Sequence, residues 1–266
     1  MFLLFIVFCI LVPRGTATVQ CSAIKAAYQK GCNCYAQDSD PALVIFSPDD
    51  CVTQPGVDAI MVKDIYSGTD SSYPNYLTAI GDTLFFQADD GTHGYELWKT
   101  DGTEAGTVMV KDIRSGSGSS ASPFQLTAVG GTLFFQANDG THGIELWKSD
   151  GTVAGTVMVK DIRSGASDSS PNYLTAIGDT LFFQAYDGTH GYELWKSDGT
   201  EANTVMVKDI RSGSGSSYPY LLTAVGNTLF FQADDGNNGR ELWKTVGGPL
   251  ACTGNPIITG NPIEIE

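Results

Sequence analysis

Residues Glu96-Leu97-Trp98-Lys99-Thr100-Asp101-Gly102-Thr103 return as Glu145-Leu146-Trp147-Lys148-Ser149-Asp150-Gly151-Thr152. They return again as Glu193-Leu194-Trp195-Lys196-Ser197-Asp198-Gly199-Thr200. A fourth copy, Glu241-Leu242-Trp243-Lys244-Thr245, stops before the Asp-Gly pair. Successive copies lie 49, 48 and 48 residues apart. A period of this size marks propellers and related arrays. It speaks to architecture far more than to chemistry.

Around the motif, one repeat reads as four short strands. Tyr76–Ile80 and Thr83–Ala88 are apolar, β-prone runs, followed by Tyr95–Lys99 and Thr107–Ile113. Gly, Asp and Asn stand at every join, because they tolerate the positive φ of tight hairpin turns. Leu84-Phe85-Phe86 is apolar on both faces, which suits a sheet packed by a neighbour on each side. After the fourth strand comes a polar loop, Ser115–Ser122 in the first copy. Four antiparallel strands in about 48 residues is the make-up of one propeller blade.

The parts are offset. Val-Lys-Asp-Ile occurs from Val62, Val110, Val159 and Val207, Leu-Phe-Phe-Gln from Leu84, Leu133, Leu181 and Leu229. The array therefore starts with an orphan fourth strand, residues 57–65, and ends with a blade, 220–245, that lacks one. The expectation is an all-β, four-bladed β-propeller over 57–245, closed by pairing 57–65 with the last blade, which removes an exposed edge. The competing arrangement pairs the same two parts between different chains and makes a fibre.

Counting across the turn at 101–106 sets Trp98 opposite Met109 and Glu96 opposite Lys111. The same count pairs Glu145 with Lys160, Glu193 with Lys208 and, across the closure, Glu241 with Lys63. Opposite charges facing one another across strands contribute roughly 0.2–1 kcal/mol each, so the repeated Glu and Lys read as structural. Trp98, Trp147, Trp195 and Trp243 read as core or inter-blade packing.

The motif run Glu-Leu-Trp-Lys-Ser-Asp-Gly-Thr followed by Gly155-Thr156-Val157-Met158-Val159-Lys160-Asp161-Ile162 closely resembles the bacterial ELWxxDGT repeat proteins. The resemblance covers about residues 57–245. It implies secreted or surface proteins with propeller-like β repeats, and it implies no reaction. Residues 1–56 and 246–266 fall outside it.

Formal net charge is −15, from 30 acidic and 15 basic residues. That balance disfavours nucleic acid, which needs Lys and Arg against its phosphates, and anionic lipid. His93, His142 and His190 occupy equivalent turns on separate blades, too far apart to share a zinc ion at about 2.0–2.1 Å. The acidic turns at Asp89, Asp90, Asp139, Asp187 and Asp235 are candidate Ca²⁺ ligands, but lack the spacing of a dedicated loop. No nucleophile elbow, phosphate-binding loop or paired-carboxylate motif stands apart from the repeat. The expectation is no enzyme, no catalytic residues and no cofactor.

The flanks carry the rest. Met1–Val12 is apolar and too short to span a bilayer comfortably, so residues 1–17 read as a secretory signal, or else as a retained apolar assembly segment. Residues 18–56 form a small Cys-rich region with a helix candidate at 22–30 and a strand candidate at 43–46. Cys21, Cys32, Cys34, Cys51 and Cys252 are the disulfide candidates, all outside the repeats, as suits an extracellular protein. The extended C-terminal tail, 246–266, ends in alternating Ile and Glu, a half-buried strand pattern. No Asn-x-Ser/Thr sequon occurs; the Ser/Thr-rich loops are candidates for O-linked glycans. The reading is a secreted or cell-surface structural protein, a glycoprotein if those loops are used, with itself as partner in a homo-oligomer or filament. Its alternative is a monomeric lectin-like module stacking glycans on Tyr73 and Tyr218.

Overall fold

The structure is a computed structural model that describes residues 59–246 and the backbone of two short earlier strands. The chain divides into two units, Met1–Ile60 and Met61–Glu266. In the first, β1 (Thr18–Gln20) and β2 (Asn33–Tyr35) pair antiparallel, with Val19 opposite Cys34. The expected signal segment, the 22–30 helix, the 43–46 strand, the tail from 247 and Cys21, Cys32, Cys51 and Cys252 lie outside the described residues. So does the side chain of Cys34.

The second unit is all β. The first sheet holds β3 (Asn75–Ile80), β4 (Thr83–Asp89), β5 (Tyr95–Thr100) and β6 (Val108–Lys111). The second holds β7 (Phe124–Val129), β8 (Thr132–Asn138), β9 (Ile144–Ser149) and β10 (Val157–Lys160). The third holds β11 (Asn172–Ile177), β12 (Thr180–Tyr186), β13 (Tyr192–Ser197) and β14 (Val205–Lys208). The fourth stops at three strands, β15 (Tyr220–Val225), β16 (Thr228–Asp234) and β17 (Arg240–Lys244). Every sheet is antiparallel in chain order, and the described residues contain no helix. Each first hairpin turns through a glycine in the left-handed region, Gly81 at φ 57° for example, where a Cβ is penalised.

Successive side chains of a strand point to opposite faces, and both faces are used. Leu133 and Phe135 pack with Phe85, Leu97 and Ile113 of the first sheet region, while Phe134 between them packs with Leu181, Phe183 and Trp195 of the third. All three of these β8 residues are buried, and burying one such side chain stabilises by about 1.5–3 kcal/mol. The core is thus divided among the gaps between neighbouring sheets. The first strands touch in the order β3, β7, β11, β15.

Two expectations are corrected. A β-bulge interrupts each pairing of the third and fourth strands, so Trp98 does face Met109 but Lys111 faces Leu97, not Glu96. The bulge inserts Val110 into the ladder and slips the count by one. Lys160 faces Leu146 and Lys208 faces Leu194 for the same reason. Secondly, residues 59–64 form no strand on β17. Lys63 therefore does not meet Glu241; its Nζ donates to the Thr107 carbonyl at 2.8 Å.

Candidate functional site

The bulge frees the motif glutamate to turn inward. Glu96, fully buried, accepts the backbone N–H groups of Ile113 (2.9 Å), Arg114 (3.3 Å) and Ala121 (3.1 Å). Glu145 accepts those of Ile162, Arg163 and Ser169, plus the Ser169 hydroxyl at 2.6 Å. Glu193 does the same with Ile210, Arg211 and Ser217. One carboxylate thereby holds both ends of the loop that leads to the next sheet.

The two motif lysines act across the gap. Lys99 Nζ donates to the Gly151 carbonyl and Lys148 Nζ to that of Gly199, both at 2.8 Å. Lys111 and Lys160 donate to the Thr156 and Thr204 carbonyls at 2.8 and 2.9 Å. Lys99 and Lys148 thus tie one sheet to the Asp-Gly-Thr turn of the next, and Lys111 and Lys160 tie it to the threonine just before the next fourth strand. The glycine is required twice over. Gly151 has φ 85°, and a Cβ there would lie 3.2 Å from the Phe85 ring. The isoleucine that ends each Val-Lys-Asp-Ile run packs forward too: Ile113 with Leu133 and Trp147, Ile162 with Leu181 and Trp195, Ile210 with Leu229 and Trp243. Trp98, Trp147 and Trp195 are buried, and Lys111 lies over the Trp147 ring at 5.8 Å.

The serine contribution is the part that sequence reasoning missed. Ser169 and Ser217 stand two residues before Pro171 and Pro219; Ala121 and Ser72 hold the same place before Pro123 and Pro74. That spacing was the available signal.

Burial pushes the Glu96 and Glu145 carboxyls up to about 7, against the pull of the N–H donors, and raises Glu193 as well. A raised carboxyl favours the fold when protonated, so this contribution is full below the ordinary value of 4.5 and is lost as pH rises through about 7. The turn histidines run the same way. His93, His142 and His190 are raised above 6.5 by the hydrogen bond to their Asp partner. Their contribution is full below that value and is lost at higher pH. The melting temperature is therefore expected to be higher at pH 5.5 than at pH 8.5, measured by circular dichroism. A melting temperature that climbs steadily to pH 8.5 would overturn the assignment.

The acidic turns bind themselves. Asp90 Oδ1 accepts the N–H groups of Thr92 and His93, and Oδ2 meets His93 Nδ1 at 2.7 Å. Asp139 with His142 and Asp187 with His190 repeat this, and Asp235 pairs with Asn238 instead. Asp89 caps Gly91 N–H. Burial raises Asp90, but the bonds from His93 and Thr92 outweigh it and hold the carboxyl below its usual range. Among the described residues, no three His, Cys, Asp or Glu side chains converge as metal ligands.

Among the described residues, the row of sheets has two unfinished ends. At the last, Glu241 is exposed and Leu242 is 76% exposed, whereas Leu97, Leu146 and Leu194 are at most 1% exposed. A cleft of about 410 Å³ opens there between Glu241, Trp243 and Asn238. At the first, a cleft of about 430 Å³ is lined by Met61, Lys63, Ile65, Tyr66 and Ser72. Lys63 reaches Thr107 as Lys111 reaches Thr156. Ile65 packs on Phe86, Ala88 and Trp98 as Ile113 packs on the second sheet.

No family model matches the chain, and no curated protein matches it. Among solved structures, one from a structural and mechanistic analysis of two prolyl endopeptidases is similar over 64% of this chain, at 14% identity and a TM-score of 0.37. The match spans 26% of that chain's length.

Proposed function

We propose that this chain is a non-enzymatic extracellular structural protein, a self-assembling subunit of a surface fibre, filament or matrix. Its sheets are read as four β-propeller blades, the last completed when residues 57–65 pair with it as a fourth strand. Completion within one chain closes a four-bladed ring; completion between chains extends a fibre. The observation that carries the reading is the pair of complementary unfinished ends. An open edge beside an exposed apolar residue such as Leu242 is otherwise an aggregation hazard. The resemblance to ELWxxDGT repeat proteins supports the extracellular placement.

Light scattering and negative-stain microscopy of the purified full chain are expected to show assemblies that lengthen with protein concentration. A monomer at every concentration sinks the reading. A second reading, the lectin-like module, has one observation in its favour. Tyr218, half exposed, stacks on Tyr192 at 5.7 Å and 22°, with Tyr186 and Arg163 adjoining. A stable monomer that binds glycans and loses them on Tyr218→Ala takes the place of the fibre.

A further inference from the structure

We infer that the unfinished fourth sheet docks a second copy of this chain head to tail, the partner's Met61–Ser72 segment supplying what β6 and its following loop supply to β5. The inference rests on the self-assembly reading and adds the surface and the bonds. Three internal interfaces serve as templates. In each, a motif glutamate is fully buried and takes the N–H of the Ile that follows Lys-Asp, the N–H of the next residue and the N–H of the residue two before Pro. Glu241 is the one motif glutamate left exposed. The matching donors are Ile65, Tyr66 and Ser72, and they stand at the other end of the row. Ser72 also carries the hydroxyl that Ser169 and Ser217 use.

The donor segment is already shaped for this. Met61-Val62-Lys63-Asp64-Ile65 repeats Met109-Val110-Lys111-Asp112-Ile113. The Ser72 carbonyl accepts the Asp89 N–H at 2.9 Å, as the carbonyls of Ala121, Ser169 and Ser217 accept from Asn138, Tyr186 and Asp234. One side of the segment is therefore seated on the first sheet in the way every fourth strand is seated on the sheet after it. Its other side is bare: Met61 is 76% and Val62 40% exposed. By the internal register, Leu242 comes to lie opposite Lys63 and Trp243 opposite Met61 of the incoming copy. The pairing buries Leu242, and the Glu241 carboxylate collects three N–H donors and a hydroxyl.

The occupant is a copy rather than the chain's own head. Among the described strands, the substantial sheet-to-sheet contacts link neighbours, and Lys63 and Ile65 hold the segment on the first sheet. Unlike surfaces that mate between identical chains propagate until the geometry closes.

The test uses the full chain and two variants, Glu241→Arg to disable the tail and Met61→Asp to disable the head. Both positions are exposed, so circular dichroism melts matching the parent's confirm that the fold is kept. Sedimentation velocity is expected to show concentration-dependent growth for the parent and monomers for each variant alone, with mating weakened at least about a hundredfold. Mixing the two variants restores one good head and one good tail, so it is expected to give dimers and nothing longer. If the parent grows but Glu241→Arg grows equally, self-assembly stands and this interface is wrong. If the parent is monomeric and Glu241→Arg lowers its melting temperature, the ends meet within one chain, and both the inference and the fibre reading fall. A monomeric parent indifferent to the substitution overturns both as well.

Discussion

Glu145→Ala is expected to destabilise the repeat module by about 3–5 kcal/mol. The substitution leaves the N–H groups of Ile162, Arg163 and Ser169 and the Ser169 hydroxyl without their acceptor. Each orphaned donor that stays buried costs about 1–3 kcal/mol, and relaxation of the loop recovers part of the total. At roughly 2–4 °C per kcal/mol for a module of this size, the melting temperature falls by about 10 °C. Urea denaturation and a thermal melt measure both figures. A loss under about 1 kcal/mol refutes the view that this carboxylate holds the loop. Alanine is the informative replacement, because the raised pKa means the protonated acid already keeps the fold while any carboxyl oxygen remains to accept.

Trp147→Ala is expected to cost about 3–5 kcal/mol, for a different reason. The indole fills the gap between the first and second sheets, among Phe85, Leu97, Val110, Leu133 and Phe135. Its ring N–H has no hydrogen-bond partner among the described residues, so no hydrogen bond is lost with it. Lys111 over the ring face adds a cation–π contact worth about 0.5–1 kcal/mol. Trp147→Phe therefore retains much of the stability. An alanine variant within about 1 kcal/mol of the parent shows that the gap collapses without the indole, and the packing assignment fails.

The four-strand repeat was legible because each boundary is written in residues that only turns favour, and because Leu-Phe-Phe needs two covered faces. The packing of the tryptophans followed from size and recurrence. The partners of Glu96 and Lys111 were not legible. A regular ladder sets them opposite, and nothing in Val108-Met109-Val110-Lys111 announces that Val110 is bulged. The bulge becomes intelligible only with the loop beyond it, whose buried N–H groups need an acceptor that the strand glutamate supplies. Lys99 was likewise unreadable, since its acceptor is a backbone carbonyl 52 residues away, and every residue has one. The offset of the orphan segment was plain from counting, but which surface receives it depends on how the sheets follow one another.

The lysine-to-carbonyl ties have a consequence for how the molecule yields. Each of those from the strands links a sheet to its immediate successor, across 44 to 52 residues. Stability in such a row is a chain of nearest-neighbour terms. Melting then proceeds from the ends inward, and amide exchange grades from fast in the fourth sheet, which has no successor among the described residues, to slow in the second and third, which are flanked on both sides. The same locality means that a whole repeat gained or lost by duplication leaves every remaining contact with a partner of its own kind.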